Sequence, residues 1–119
     1  MDLSQAALIV GKNAVVSPLF SDSSFVGRLH EEAVWDHVLF GEWCDAIRSY
    51  AAGDSPREIR AMAFDTYAYV VGVALISHID PKDGYRIKNI NRDKFFEIKD
   101  EIDVLFDLFL GSRRYSASM

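Results

Sequence analysis

The stretch "SPREIRAMAFDTYAYVVGVALISHIDP", residues 55 to 81, constrains this chain more than any other. It opens with Ser55, Pro56 and Glu58, the order of a capping box whose proline takes the first helical position, where its missing N–H costs nothing. It closes on Asp80-Pro81, and helical geometry is disfavoured for the residue before a proline. A helix over about 56–79 is therefore expected. From Ala61 onward it is apolar nearly all round, the pattern of a central helix buried on several sides. Ala61, Ala68 and Gly72 fall at i, i+7 and i+11, a small-residue seam that lets a neighbouring helix come close. Two rival readings stand beside it. "YVVGVALI" has the β-branched content of a buried strand. A membrane span needs about 20 apolar residues, and Asp65 and His78 interrupt this run.

The flanking segments also read as helices. "SDSSF" supplies N-cap residues for a helix over 25–52, with Gly53 placed to take the left-handed conformation after its end. A last helix is capped by Asn91 and runs to Leu110; Phe95, Ile98, Ile102, Leu105 and Phe109 recur at intervals of 3 and 4. Its opposite face carries Glu97, Asp100, Glu101, Asp103 and Asp107. Residues 1–21 form either short helical pieces or a small hairpin near Gly11; nothing later offers a sheet to extend, which favours helix. The expected fold is mainly α: one compact, bundle-like domain over 1–111, the helices at 25–52 and 91–110 packed on the central one, and a flexible polar tail at 112–119.

Composition narrows the function. Half of the 119 residues are hydrophobic, which suits a folded domain rather than a disordered chain. Cys44 is the single cysteine, so no disulfide forms within the chain. The acid at position 2 and the lack of a basic segment before the first apolar run do not suit a signal peptide, and the cytoplasm is the expected location. The net charge of −5 argues against nucleic acid, because phosphate binding needs a basic footprint.

Candidate chemical sites are few. "SHIDPKDGYRIKNINRD", residues 77–93, has the look of a metal loop. Read as an EF-hand from Asp80 it fails, with Lys82, Gly84 and Asn91 at positions 3, 5 and 12. Asp80-Pro81-Lys82-Asp83 instead suits a turn, with His78 in the last helical turn where a partly positive imidazole is favoured. His30, His37 and Cys44 are spaced by 7, about 10.5 Å of helical rise, too far apart to share an ion or form a thiolate–imidazole pair. No metal and no cofactor is expected. Glu32 and Asp36 form an i,i+4 carboxylate pair suited to acid–base work, but no nucleophile, oxyanion donor or phosphate loop accompanies them. Asp65 has apolar helical neighbours and needs a partner, for which Arg28, Arg48 and His37 are the candidates.

The segment 25–52 also carries two apolar lines. Val26, Leu29, Ala33, Phe40, Cys44 and Ile47 form the first, where Cys44 acts as a small hydrophobe. Trp35, Leu39, Trp43, Ala46 and Tyr50 form a second, beside acids that give residues 22–54 a charge of −5. Either residues 1–21 cover this second line, or it is a binding face with aromatic anchors. The expected partner-binding residues are Glu32, Trp35, Asp36, Leu39, Glu42, Trp43, Asp45 and Tyr50, with Asp100, Asp103 and Asp107 on the last helix. In size, acidity and lack of catalytic motifs the chain is similar to bacterial immunity proteins that neutralise nuclease toxins, a likeness of composition that no motif carries. It implies a non-enzymatic inhibitor occluding a basic partner. The alternative is a self-associating helical or adaptor domain, and the third reading is a small carboxylate enzyme.

Overall fold

A computed structural model describes residues 1–50 and 53–111, and among these every regular element is helical. In order they are α1 (Leu3–Asn13), α2 (Phe25–Glu32), α3 (His37–Arg48), α4 (Arg57–Tyr69), a π-helical segment (Val70–Leu75), α5 (Ile76–Ile79) and α6 (Arg92–Phe109). The molecule is a small all-α domain. "YVVGVALI" is helix, not strand, and the N-terminal segment forms α1 instead of a hairpin. Asp2 caps α1 by accepting from the Gln5 amide at 2.8 Å.

Several local signals hold. Asn91 caps α6, its side-chain oxygen accepting from the Lys94 amide at 2.9 Å, and the expected apolar row of α6 is buried. The long helix stops at Ile79, and the Asp80–Asp83 turn closes with the Asp83 amide donating to the Asp80 carbonyl at 3.1 Å. Gly53 is left-handed (φ 74°) and donates to the Phe109 carbonyl at 2.9 Å, tying the start of this connection to the end of α6. α3 ends at Arg48, short of the helix end expected at Ala52, and the tail expected at 112–119 lies outside the described residues.

Four expectations are corrected. The single helix over 25–52 is two helices, α2 and α3, separated at 33–36. Ala33 turns left-handed (φ 53°), an unfavourable conformation for a residue with a Cβ, and Asp36 starts α3 by accepting from the Leu39 amide at 3.0 Å. Long-range contacts hold the break open. The Lys88 amide donates to the Ala33 carbonyl at 2.8 Å, and the Asn89 side chain grips both backbone groups of Trp35, at 2.8 and 2.7 Å.

The capping box at residue 55 does not form. Pro56 occupies the cap position with no side-chain bond, while the Ser55 hydroxyl is buried without a partner among the described residues. The Ser55 carbonyl accepts from Arg60 instead. His78, expected to serve the helix end as a partly positive imidazole, instead spends both ring nitrogens on the backbone of 87–90: its Nδ1 accepts from the Ile87 amide and its Nε2 donates to the Ile90 carbonyl, both at 2.8 Å. Finally, the long helix is buried on one side only. Ala61, Ala68 and Gly72 are exposed, and nothing stands within 4 Å of where a Gly72 Cβ would be.

The core explains that placement. α1 lies against α3 and α4, and α3 packs on α6. Asn13, 4% exposed, links three helices: its Oδ1 accepts from Val26 of α2 at 3.1 Å, and its carbonyl accepts from Thr66 of α4 at 3.0 Å. Aromatic rings fill the centre, with Trp43 of α3 5.9 Å from Phe106 of α6 and Phe25 of α2 4.8 Å from Trp35. With α1 and α6 taking the inner sides of the assembly, the long helix keeps one flank open.

Candidate functional site

The expected aromatic anchors are core residues. Trp35, Trp43 and Ala46 are at most 1% exposed and Tyr50 is 7% exposed, so none offers a surface contact. Leu39 is half-buried and packs against the same cluster. The residues at 1–21 supply part of this cover, as one of the two readings of the stripe had it, with Ala6 and Val10 of α1 fully buried in the core.

The acids of this segment have structural partners. Arg28 reaches Glu32 at 2.7 Å and Asp36 at 2.6 Å. The carboxyl of Asp36 is held below its usual range, first by the Leu39 amide and then by the Arg28 guanidinium. Asp36 is committed to capping α3, which leaves the pair poorly suited to splitting acid and base roles. Asp45 is exposed and lies 3.3 Å from Arg48, and Glu42 and Asp100 are exposed. None of the expected partners reaches Asp65: Arg28 and Arg48 are engaged elsewhere, and the buried Oδ2 of Asp65 has no hydrogen bond among the described residues.

Cys44 is 1% exposed, and its thiol is pushed up to about 12, first by burial and then by the charge of Glu101. The thiolate is the reactive form. At pH 8 Ellman's reagent is therefore expected to leave Cys44 untouched in the folded protein and to titrate one thiol per chain in guanidinium. Rapid labelling without denaturant would place Cys44 at the surface.

The open surface is the outer side of the helix Arg57–Ile79. Ala61, Phe64, Ala68, Gly72, Val73, Ile76 and Ile79 are its exposed residues from position 61 on, and no exposed side chain among them is polar. Phe64 is 41% exposed, and Val73 and Ile76 are each 53% exposed. At 1.5 Å per residue this face runs about 27 Å. The helix is long and apolar enough to cross a membrane by length and composition.

Both of its borders carry carboxylates, Asp103 on one side and Glu31 on the other. On one side α6 runs antiparallel to it, joined by Phe64–Phe106 rings at 5.6 Å and by the Tyr67 hydroxyl donating to Asp103 at 2.9 Å. Lys99 also bonds Asp103, at 2.8 Å. Burial, then Asp103, pushes the Tyr67 phenol up, and Asp107 adds to this, so two of the three expected carboxylates of α6 lie near this border. On the other side Tyr69 lies 6.1 Å from the His30 ring, and its phenol is raised first by burial and then by Glu31. Beside Val73 the face dips into a cleft of about 320 Å³ lined by His30, Tyr69, Val73, Ala74, Ser77 and Tyr85. The Tyr85 hydroxyl donates to the Leu29 carbonyl at 3.0 Å, and burial pushes its phenol up to about 12, so it stays uncharged.

Comparison with protein-family models, curated proteins and solved structures returned no match. Among the described residues no group of three or more histidine, cysteine or acidic side chains converges as a metal site.

Proposed function

We propose that the chain is an acidic protein-binding module, an immunity-type inhibitor that neutralises a basic partner such as a nuclease toxin by covering its positively charged active site, with no chemistry of its own. The supporting observation is the unbroken apolar outer face from Ala61 to Ile79, bordered by Asp103 and Asp107 on one side and Glu31 on the other. Large exposed apolar patches rimmed by polar groups mark interaction sites. Carboxylates at the rim steer a basic partner and repel an acidic one, in keeping with the net charge of −5. This moves the interface from the aromatic stripe at 35–50 to the long helix, and keeps only the α6 acids of the expected set beside it.

The test is inhibition of DNA cleavage by a panel of purified basic nuclease domains, including any encoded beside this chain. Wild type is expected to suppress at least one of them. Ile76→Asp should weaken that inhibition about 30-fold, the effect of a lost hot spot of about 2 kcal/mol, with melting little changed because Ile76 is half exposed. Full inhibition by Ile76→Asp would remove this face as the docking surface. No inhibition across the panel would remove the nuclease reading.

A second reading, self-association, has its own observation. Antiparallel pairing of two copies centred between Ala68 and Tyr69 sets Ala61 opposite Ile76, Phe64 opposite Val73 and Arg57 opposite Asp80. The same two-fold lays the α6 border of one copy along that of the other, where Lys99, 2.8 Å from Asp103, faces the carboxylates of the second copy and offsets their repulsion. It is the net charge of −5 that favours a different, basic partner.

A further inference from the structure

The long helix changes its winding beside the cleft at Val73. Residues Val70–Leu75 are π-helical, and such i→i+5 turns are rare and frequently found at functional sites. An α-helix carries residues four apart about 40° around its axis. The wider turns here offset that drift and keep Tyr69, Val73 and Ser77 together on the cleft. The rest of the wall comes from His30 of α2 and from Tyr85. Tyr85 is fixed at both ends: its amide donates to Asp83 at 2.9 Å and its hydroxyl to the Leu29 carbonyl at 3.0 Å. At about 320 Å³ the cleft stands at the small end of the ~300–1,000 Å³ typical of small-molecule sites.

His30, Tyr69 and Tyr85 give the cleft three aromatic rings, and among the described residues neither Lys nor Arg lines it. Arg86, which bonds the Ser77 carbonyl at 3.1 Å, lines a separate cleft with His78 and Pro81. A carboxylate stands beside the rings, with Glu31 3.2 Å from His30 Nδ1. The Tyr69 phenol is raised first by burial and then by this charge, so the negative field of Glu31 reaches the cleft. A neutral imidazole donating to Glu31 leaves the carboxylate its charge, and aromatic faces attract a cation independently of it. An anion meets no positive side chain in this lining, and a neutral molecule gains burial alone. We propose that the cleft is a binding site for a compact organic ammonium ion, its methyl or methylene groups against His30, Tyr69, Tyr85 and Val73 and its charge toward Glu31. A free alkylammonium and the end of a lysine side chain offer this same chemistry. The site goes beyond the reading above and does not rest on it, since Val73 alone belongs to both surfaces.

NMR titration of the full chain with choline and with 3,3-dimethylbutan-1-ol, its neutral isostere, tests this, followed at the amides of Val73, Ser77 and Tyr85. Choline is expected to shift these amides saturably, and the alcohol to bind about tenfold more weakly. Tyr69→Leu keeps apolar bulk without a π face and should weaken choline about tenfold, while Tyr69→Phe should bind it as wild type does. Equal binding of the alcohol would make the cleft a plain apolar cavity and overturn the proposal. A folded Tyr69→Leu protein that binds choline normally would overturn the part given to the rings. Should that variant fail to fold, the comparison of choline with the alcohol on wild type still decides. Nα-acetyl-lysine methylamide separates the two sources: tighter binding than choline assigns the site to a protein side chain, and weaker binding to a free methylated ammonium, the cation standing in both cases. No saturable shift with either cation ends the proposal and leaves the nuclease test of the outer face untouched.

Discussion

Trp43→Ala is expected to melt roughly 10–25 °C below wild type, whatever it does to binding. Trp43 has no exposed surface, and its ring lies 6.3 Å from Phe25, 6.4 Å from Phe40 and 5.9 Å from Phe106, so three helices lose packing when it is truncated. Removing such a side chain costs about 3–5 kcal/mol, a large share of the ~5–15 kcal/mol that holds a domain together. Its indole N–H is buried with no hydrogen-bond partner among the described residues. Trp43→Phe removes that unpaired donor, whose burial is unfavourable by about 1–3 kcal/mol, and should recover most of the loss. Thermal unfolding followed by circular dichroism reads both. A Trp43→Ala protein melting within a few degrees of wild type would put Trp43 back on the surface.

Gly27→Ala should be nearly as damaging, against the usual rule. In a helix interior alanine is normally better than glycine by about 0.5–1 kcal/mol. At Gly27 an added Cβ would lie 2.4 Å from the Asp22 carbonyl oxygen and 2.5 Å from that of Ser21, both backbone atoms that cannot swing aside. The turn over 21–24 is itself pinned: the Ser24 amide donates to Ser21, and the Ser24 hydroxyl caps α2 by accepting from the Gly27 amide, both at 3.0 Å. Relief requires α2 to part from this turn, at a cost of about 3 kcal/mol or more. Gly41 in α3 has nothing within 4 Å of its Cβ position, so Gly41→Ala should be stabilising by about 0.5–1 kcal/mol. Denaturant midpoints of the two variants should shift in opposite directions. Shifts of the same sign would mean that the approach at Gly27 is not tight.

Where the sequence was readable, the causes were local. α6 could be traced from the Asn91 cap through its apolar row because both signals lie within one element. The stop at Asp80-Pro81 was equally direct. The break at 33–36 was hidden because its strongest supports, Lys88 and Asn89, arrive from more than fifty residues away. Half of it lies within reach of the sequence all the same: Asp36, three residues before Leu39, is a good N-cap. Ser55 shows the reverse, a capping pattern complete in sequence whose hydroxyl turns inward. The placement of the apolar faces was hidden for a different reason. A helix apolar on every side and one apolar on an open face look alike in sequence, so nothing local showed that the aromatic line of 35–50 is buried and the outer face of 61–79 exposed.

The grip of Asn89 on Trp35 carries a consequence for how the chain is made. The two residues are 54 positions apart. At translation rates of about 5–20 residues per second, Trp35 is synthesised on the order of 3–10 s before the side chain that will fix its backbone. During that interval the corner between α2 and α3 has Asp36 as its local lock, and the backbone of Trp35 waits for the side chain that fixes it in the finished fold.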